Sequence, residues 1–241
     1  MHVSFTSFNM SKTISKFYDK VPSFIWGYIG VSVPVIAMFI TALIYRDPLN
    51  ARFSIFNMFV SELGERAISQ TAWLFNWGLI IGGIPLILFM IGLGIKYKSV
   101  YGWICTAGGL FCSISAFFVG IFPMDFGSEL YMTGHVISAL SFFYGGMATV
   151  FLFSILIFID KKKVLPKWLG IFGLLVAVIF ALFIFLPEGA LDDIMVRPRD
   201  RFLLISFLEW LVVFSIFSWI LTISITLNIQ RRKKIKIEME R

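Results

Sequence analysis

Six long apolar stretches run through this chain of 241 residues and limit what it can fold into. A helix needs about 20 apolar residues to cross about 30 Å of hydrocarbon. Because lipid offers no hydrogen bonds to the backbone, apolar stretches of this length form helices inside a bilayer. The sequence therefore predicts an all-α polytopic membrane protein with six transmembrane helices in a single domain, residues 1–241. The predicted spans are roughly 23–45, 72–95, 101–123, 134–159, 168–187 and 203–228.

The charged residues are divided unequally between the two sides that six spans create. The side with both termini carries 15 of the 21 Lys and Arg residues, and the other side carries nine of the 14 acidic ones. Basic residues in short loops remain in the cytoplasm. The sequence therefore predicts a multi-pass protein of the plasma membrane with a cytoplasmic N-terminal segment, 1–22, and a basic cytoplasmic tail, 229–241. The first span is too long for a removable signal peptide, and no cleavage pattern follows it.

The net charge of +7 indicates contact with membrane lipids rather than with nucleic acid. The most basic part of the tail, residues 231–236, is expected to contact anionic lipid headgroups. Surfaces that bind single-stranded nucleic acid combine basic residues with aromatic residues that stack on the bases. No aromatic residue lies among the basic residues of this tail. Membrane lipids are therefore the predicted partners, and a nucleic-acid partner is not.

The first outer loop, 46–71, contains a helical pattern of apolar residues. Phe53, Phe56, Val60 and Leu63 recur at intervals of three and four. Such a stripe is typical of an amphipathic helix that lies on the membrane surface or re-enters it. The sequence predicts that helix on the outer side of the bundle.

Polar residues occur at similar depths in the outer halves of spans two, four and six. Asn76 lies about one turn into span two, Ser138 follows His135 in span four, and Glu209 lies about 10 Å into span six by the helical rise. An acid within a span usually faces the protein interior and has a partner. Glu209 is therefore interpreted either as part of a functional site or as a structural acid. The structural partner would be a serine or one of Arg66, Arg199 and Arg201.

Asp125 and His135 lie on either side of the predicted turn between spans three and four. The hairpin is expected to bring the carboxylate near the imidazole. Such a pair serves as a general acid and base, as two metal ligands, or as an ion pair that holds the hairpin. A metal would need another ligand, which Glu62 or Glu209 would supply. No phosphate-loop, Gly-x-Ser-x-Gly or His-Glu-x-x-His motif occurs, and the sequence identifies no cofactor.

Several short motifs resemble those of a known family in order and spacing. They are SELG at 61–64, WLFNWG at 73–78, GG at 82–83, GIFPMD at 120–125 and His135. This combination resembles a prokaryotic family of six-span integral membrane proteins classed as a domain of unknown function, DUF998. The resemblance implies a six-helix membrane domain whose characteristic Ser, Asn, Asp and His residues cluster at the outer side. In this chain these residues are Ser61, Asn76, Asp125 and His135. The family supplies no established reaction.

Three functions fit these observations, and they share one predicted pocket at the outer leaflet. The first is recognition of a lipid or its headgroup, with or without hydrolase or transferase chemistry. The second is transport of an ion or small solute, and the third is a structural or assembly subunit without catalysis. The catalytic candidates are His135, Asp125 and Glu209, and the binding candidates are Ser61, Glu62, Asn76, Ser138 and Arg201.

Overall fold

The computed structural model describes residues 10–185 and 202–240, with backbone alone at 10–13, and most of the chain in these ranges is α-helical. The helices there are α1 (Met10–Lys20), α2 (Ser23–Ile44), α3 (Ala72–Tyr97), α4 (Val100–Ile121), α5 (Glu129–Ile159), α6 (Lys167–Ile184) and α7 (Leu204–Met239), with a 3₁₀ helix at Val60–Gly64. The second outer loop, 188–201, lies outside these ranges.

Six of these helices, α2 to α7, are long and apolar enough to cross a membrane. The predicted fold class and the six spans are therefore confirmed. Helix α5 begins earlier than predicted because the Ser128 hydroxyl accepts a hydrogen bond from Tyr131 N at 3.4 Å, as an N-terminal cap does. Helix α7 continues through the predicted tail to Met239, since no Gly or Pro interrupts it.

The six spans form a closed ring. Each spanning helix packs against its neighbours in sequence, and α2 also packs against α7. Gly82 of α3 allows one close approach, because a Cβ there would lie 2.6 Å from the Pro34 ring of α2. Large side chains that the fold buries completely include Phe89, Phe153 and Trp219. We call the end of the ring that carries loop 46–71 the outer end, after the predicted orientation.

The amphipathic surface helix predicted for loop 46–71 is not confirmed. The loop contains the 3₁₀ helix Val60–Gly64, which packs against α2, α3 and α7. Its residues Val60 and Leu63 are buried inside the protein. Ahead of it, the Ser54 hydroxyl accepts a hydrogen bond from Phe56 N at 3.3 Å. Side-chain bonds of this kind favour turns over helix. Val60 and Leu63 therefore face inward at the outer end of the ring, whereas Phe56 of the same stripe is exposed.

Helix α1 is an amphipathic element that the sequence analysis did not predict. It packs at the opposite end of the bundle. The Phe17 ring stacks on Trp26 with centroids 5.8 Å apart, and the Tyr18 hydroxyl donates to Leu88 O at 2.6 Å. Burial raises the pKa of Tyr18 to about 12. Arg231 of α7 donates to the Asp19 carbonyl at 3.3 Å, which joins α1 to the basic end of α7.

Candidate functional site

A slender cavity of about 110 Å³ lies inside the ring. Helices α2, α3, α4, α5 and α7 line it, together with the 3₁₀ helix. Along α7 the lining extends from Glu209 to Ile220, which is about 16 Å at 1.5 Å per residue. The cavity therefore reaches through about half of a hydrocarbon layer about 30 Å thick.

The polar lining is concentrated at the outer end of the cavity. Glu209, His135 and Ser61 lie there on three different elements, α7, α5 and the 3₁₀ helix. Most of the remaining lining is aliphatic, aromatic or glycine. Its members include Pro34, Met38, Phe75, Leu79, Gly83, Leu86, Met90, Ala116, Val119, Ala139, Phe142, Val213, Ile216 and Ile220. The cavity thus has an apolar body and a polar outer end.

The Glu209 carboxylate holds the outer loop onto α7. Its side chain is 7% exposed, and Oε2 accepts a hydrogen bond from Val60 N at 2.7 Å. That N–H belongs to the first turn of the 3₁₀ helix, where backbone donors have no partner within the helix. The adjacent residue adds a second attachment, because Trp210 Nε1 donates to Met58 O at 3.0 Å. No ion pair to Glu209 occurs within the described ranges.

His135 holds the outer ends of α4 and α5 together. Its Nδ1 lies 2.9 Å from the Phe122 carbonyl oxygen. Because a carbonyl oxygen only accepts, Nδ1 carries a hydrogen, and in the neutral imidazole Nε2 is then an acceptor. No hydrogen bond to Nε2 occurs among residues 10–185 and 202–240. A buried imidazole that can accept a further hydrogen bond therefore borders the cavity.

The pairing expected between Asp125 and His135 is not formed. The half-buried Asp125 carboxylate accepts a hydrogen bond from Gly127 N at 3.0 Å and so closes its own turn. No hydrogen bond or ion pair joins it to His135 within the described structure, and it does not line the cavity. The hairpin is instead stabilised by the hydrogen bond between the His135 side chain and the Phe122 carbonyl oxygen.

The binding candidates separate into different places. Ser61 lines the cavity, and its Oγ lies 4.0 Å from Met124 Sδ. Glu62 is buried and accepts from Phe59 N at 3.0 Å, while Asn76 donates to Gly64 O at 3.0 Å, so both fix the outer loop. Ser138 is buried on α5 but is not a lining residue. Arg201 lies outside the described residues.

The chemistry open to this site is hydrogen bonding and proton exchange at its outer end. The Glu209 carboxylate and His135 Nε2 are both acceptors. The Ser61 hydroxyl is not hydrogen-bonded to an imidazole or a carboxylate in the described structure, so no base activates it as a nucleophile. Among the described residues, no three His, Cys, Asp or Glu side chains form a group suited to hold a metal.

Sequence reasoning missed the backbone partners of the site. Val60 N, Phe122 O and Gly64 O bind Glu209, His135 and Asn76, and no side-chain pattern reveals such groups. It also missed that Trp210 helps to hold the loop. The signal available for Trp210 was its position directly after an acid within a span.

Besides Ser113, Thr149 is a polar residue that lines the cavity away from its outer end. Its hydroxyl is buried and has no hydrogen-bond partner in the described structure. Such groups in native proteins are rare. The hydroxyl oxygen packs against Gly108 of α4, where a Cβ atom would lie 2.9 Å from it.

The comparisons with known proteins identify a family but no function. No curated protein and no solved structure matches the chain. The model of the family described as "Protein of unknown function (DUF998)" matches residues 31–226. The matched region contains most of α2 and α7 and all of the helices between them. The chain is therefore a multi-pass membrane protein that belongs to the DUF998 family.

Proposed function

We propose that this protein binds an amphiphilic membrane molecule, with its apolar chain in the central cavity and its polar group at Glu209, His135 and Ser61. The observation that supports this proposal most strongly is the uneven distribution of polar groups along the cavity. Small-molecule sites are mostly apolar clefts with a few convergent polar groups that fix orientation. Here the carboxyl and imidazole groups of Glu209 and His135 lie at one end together with Ser61, while the hydroxyl residues Ser113 and Thr149 line the cavity farther in.

The cavity volume supports a slender ligand. Apolar cavities of about 150 Å³ take up ligands the size of benzene, and a cavity of about 110 Å³ is of the same order. The lining extends about 16 Å along α7, so the cavity suits a narrow part of a chain, about six carbons by its volume, better than a compact ring system.

The polar end favours a headgroup that donates hydrogen bonds or carries positive charge. Glu209 and His135 Nε2 both offer lone pairs, and an ionised carboxylate with this little exposure is unfavourable unless it is paired. An amine would supply both the donors and the charge. An anionic headgroup would place like charge beside Glu209 and is disfavoured.

Ion transport has less support than binding. Glu209 and His135 are the ionisable lining residues apart from Cys112, and both lie at the outer end. A relay of ionisable groups across the membrane would need others farther along the cavity. Catalysis is not included in the proposal, because no described base contacts Ser61.

A cavity-filling pair of variants tests this function. Ala116 lines the cavity, whereas Ala107 lies on the same helix and is exposed. Ala116→Phe places a phenyl ring in a cavity of about 110 Å³, which is about the volume that such a ring occupies. Binding of a long-chain alkylamine should therefore fall at least about tenfold. Ala107→Phe should leave this binding unchanged. The measurement is native mass spectrometry of the purified protein titrated with the amine. Equal binding by both variants would refute the cavity as the site.

The headgroup preference has its own test. The wild type should bind the alkylamine more tightly than an alkyl sulfate of the same chain length. Glu209→Gln keeps the shape of the side chain and removes its charge, so it should reduce that preference. If the variant discriminates between the two compounds as the wild type does, Glu209 is not the headgroup partner.

We also propose that the outer end faces away from the cytoplasm of a plasma-membrane protein, and that the basic end of α7 contacts anionic lipid. This proposal is supported by the distribution of charge, because 15 of the 21 basic residues lie on the side that carries both termini. An impermeant thiol reagent on intact cells should label a cysteine introduced at position 50 and spare one introduced at position 240. The opposite labelling would invert the orientation.

A further inference from the structure

A second cavity, of about 500 Å³, lies at the outer end on the other side of the first turns of α3. We call it the outer groove. Its lining comes from the end of loop 46–71, the start of α3 and the end of α4. The lining residues are Arg66, Ser69, Gln70, Ala72, Trp73, Asn76, Trp77, Ile80, Gly120 and Ile121. It shares no lining residue with the central cavity.

The outer groove carries donors and a positive charge but no carboxylate. The exposed Arg66 guanidinium carbon lies 4.4 Å from the centroid of the Tyr131 ring, and no acidic partner of Arg66 occurs in the described structure. Stacking on an aromatic face leaves the edge N–H groups of a guanidinium free to bind a planar or tetrahedral anion. The groove is thus electrostatically opposite to the outer end of the central cavity.

Ser69 provides a second and independent indication of a ligand. Its side chain is only 6% exposed, and its hydroxyl has no hydrogen-bond partner among the described residues. The neighbouring amides are already used, since Gln70 Nε2 donates to Arg46 O at 2.8 Å and Asn76 donates to Gly64 O. Leaving a buried hydroxyl unsatisfied is unfavourable. The Ser69 side chain lines the groove, and a change of its rotamer would bring the hydroxyl to an acceptor oxygen of a ligand there.

Two tryptophans place the outer groove at the depth of lipid headgroups. Trp73 and Trp77 lie one turn apart on α3, and they are 63% and 55% exposed. Tryptophan is enriched where hydrocarbon meets the aqueous interface. A ligand in this groove can therefore keep its acyl chains in the bilayer while its headgroup contacts Arg66 and Ser69.

From these observations we infer that the outer groove binds the phosphate of an anionic membrane phospholipid through Arg66 and Ser69. Phosphate oxygens accept charge-assisted hydrogen bonds from a guanidinium, often in pairs. The site is separate from the proposed amphiphile site, and the two select headgroups of opposite charge. The protein would accordingly hold two different lipids at its outer end.

The test measures phosphatidylglycerol binding to the purified full chain by native mass spectrometry. Arg66→Gln should weaken binding about tenfold or more, whereas Arg52→Gln should not, because Arg52 is an exposed arginine of the same loop that does not line the groove. Ser69→Ala should weaken binding several-fold without a loss of thermal stability, since its hydroxyl makes no described hydrogen bond. This second variant keeps the inference testable should Arg66→Gln fold poorly.

Two controls separate the sources of the phosphate and the two sites. Inorganic phosphate in large excess should leave phosphatidylglycerol bound, and its displacement of the lipid would show a free-anion site instead. Ala116→Phe should leave phosphatidylglycerol binding unchanged, so that failure of the amphiphile site and failure of the groove give different results. Equal effects of Arg66→Gln and Arg52→Gln, or no effect of Ser69→Ala, would overturn the inference.

Discussion

Replacement of Glu209 by alanine should release the outer loop from α7. The bond from Val60 N to Glu209 Oε2 is 2.7 Å long and buried. A hydrogen bond of this kind contributes about 0.5–1.5 kcal/mol net, and a buried donor left without a partner costs about 1–3 kcal/mol. Local opening of residues 58–64 should therefore become easier by about 1–3 kcal/mol, a factor of about 5–150. Glu209→Gln retains an acceptor oxygen and should produce a smaller change.

Hydrogen–deuterium exchange of the peptide containing Val60 measures this opening directly. Glu129→Ala is the matched control, because Glu129 is an exposed acid at the same end of the bundle. The control should leave exchange at Val60 unchanged. Exchange in Glu209→Ala within twofold of the wild type would show that the carboxylate does not hold the loop.

Three further perturbations have defined outcomes. His135→Asn retains a donor for Phe122 O and should keep most of the thermal stability while weakening alkylamine binding; His135→Ala should lower stability by about 1 kcal/mol. Asn76→Ala leaves Gly64 O without its donor and should destabilise the loop by about 1 kcal/mol, seen as faster proteolysis there. The third concerns Tyr18, whose pKa burial raises from 10.0 to about 12. Its contribution to α1 docking should be complete below pH 10 and be lost as pH rises through about 12, as followed by tyrosinate absorbance.

The sequence predicted the elements of the fold well because hydropathy and the helical rise act along a single helix. Glu209 and His135 each lie near the outer end of a separate span, and the rise per residue is enough to place them at similar depth. The closed ring then brings both to one cavity. The shared depth of Glu209 and His135 could therefore be predicted without predicting a contact between their side chains.

Contacts that depend on the path of a loop were beyond the sequence pattern. Asp125 was expected near His135 because a hairpin joins their helices, but the turn directs the carboxylate to Gly127 N. The stripe Phe53 to Leu63 has helical spacing, yet the hydroxyl of Ser54 favours a turn and only a short 3₁₀ helix follows. In both loops a hydrogen bond from a backbone N–H to a nearby side chain favours a turn: Gly127 N donates to Asp125, and Phe56 N donates to Ser54.

The uninterrupted course of α7 has a mechanical consequence. Its 36 residues span about 54 Å at 1.5 Å each, against about 30 Å of hydrocarbon. Glu209 near one terminus touches the loop that covers the cavity, and Arg231 toward the other touches α1. A rigid rod of this length that tilts by about 5° shifts one terminus relative to the other by about 5 Å. A change at the outer end of α7 and the position of its basic end would thereby be geometrically linked.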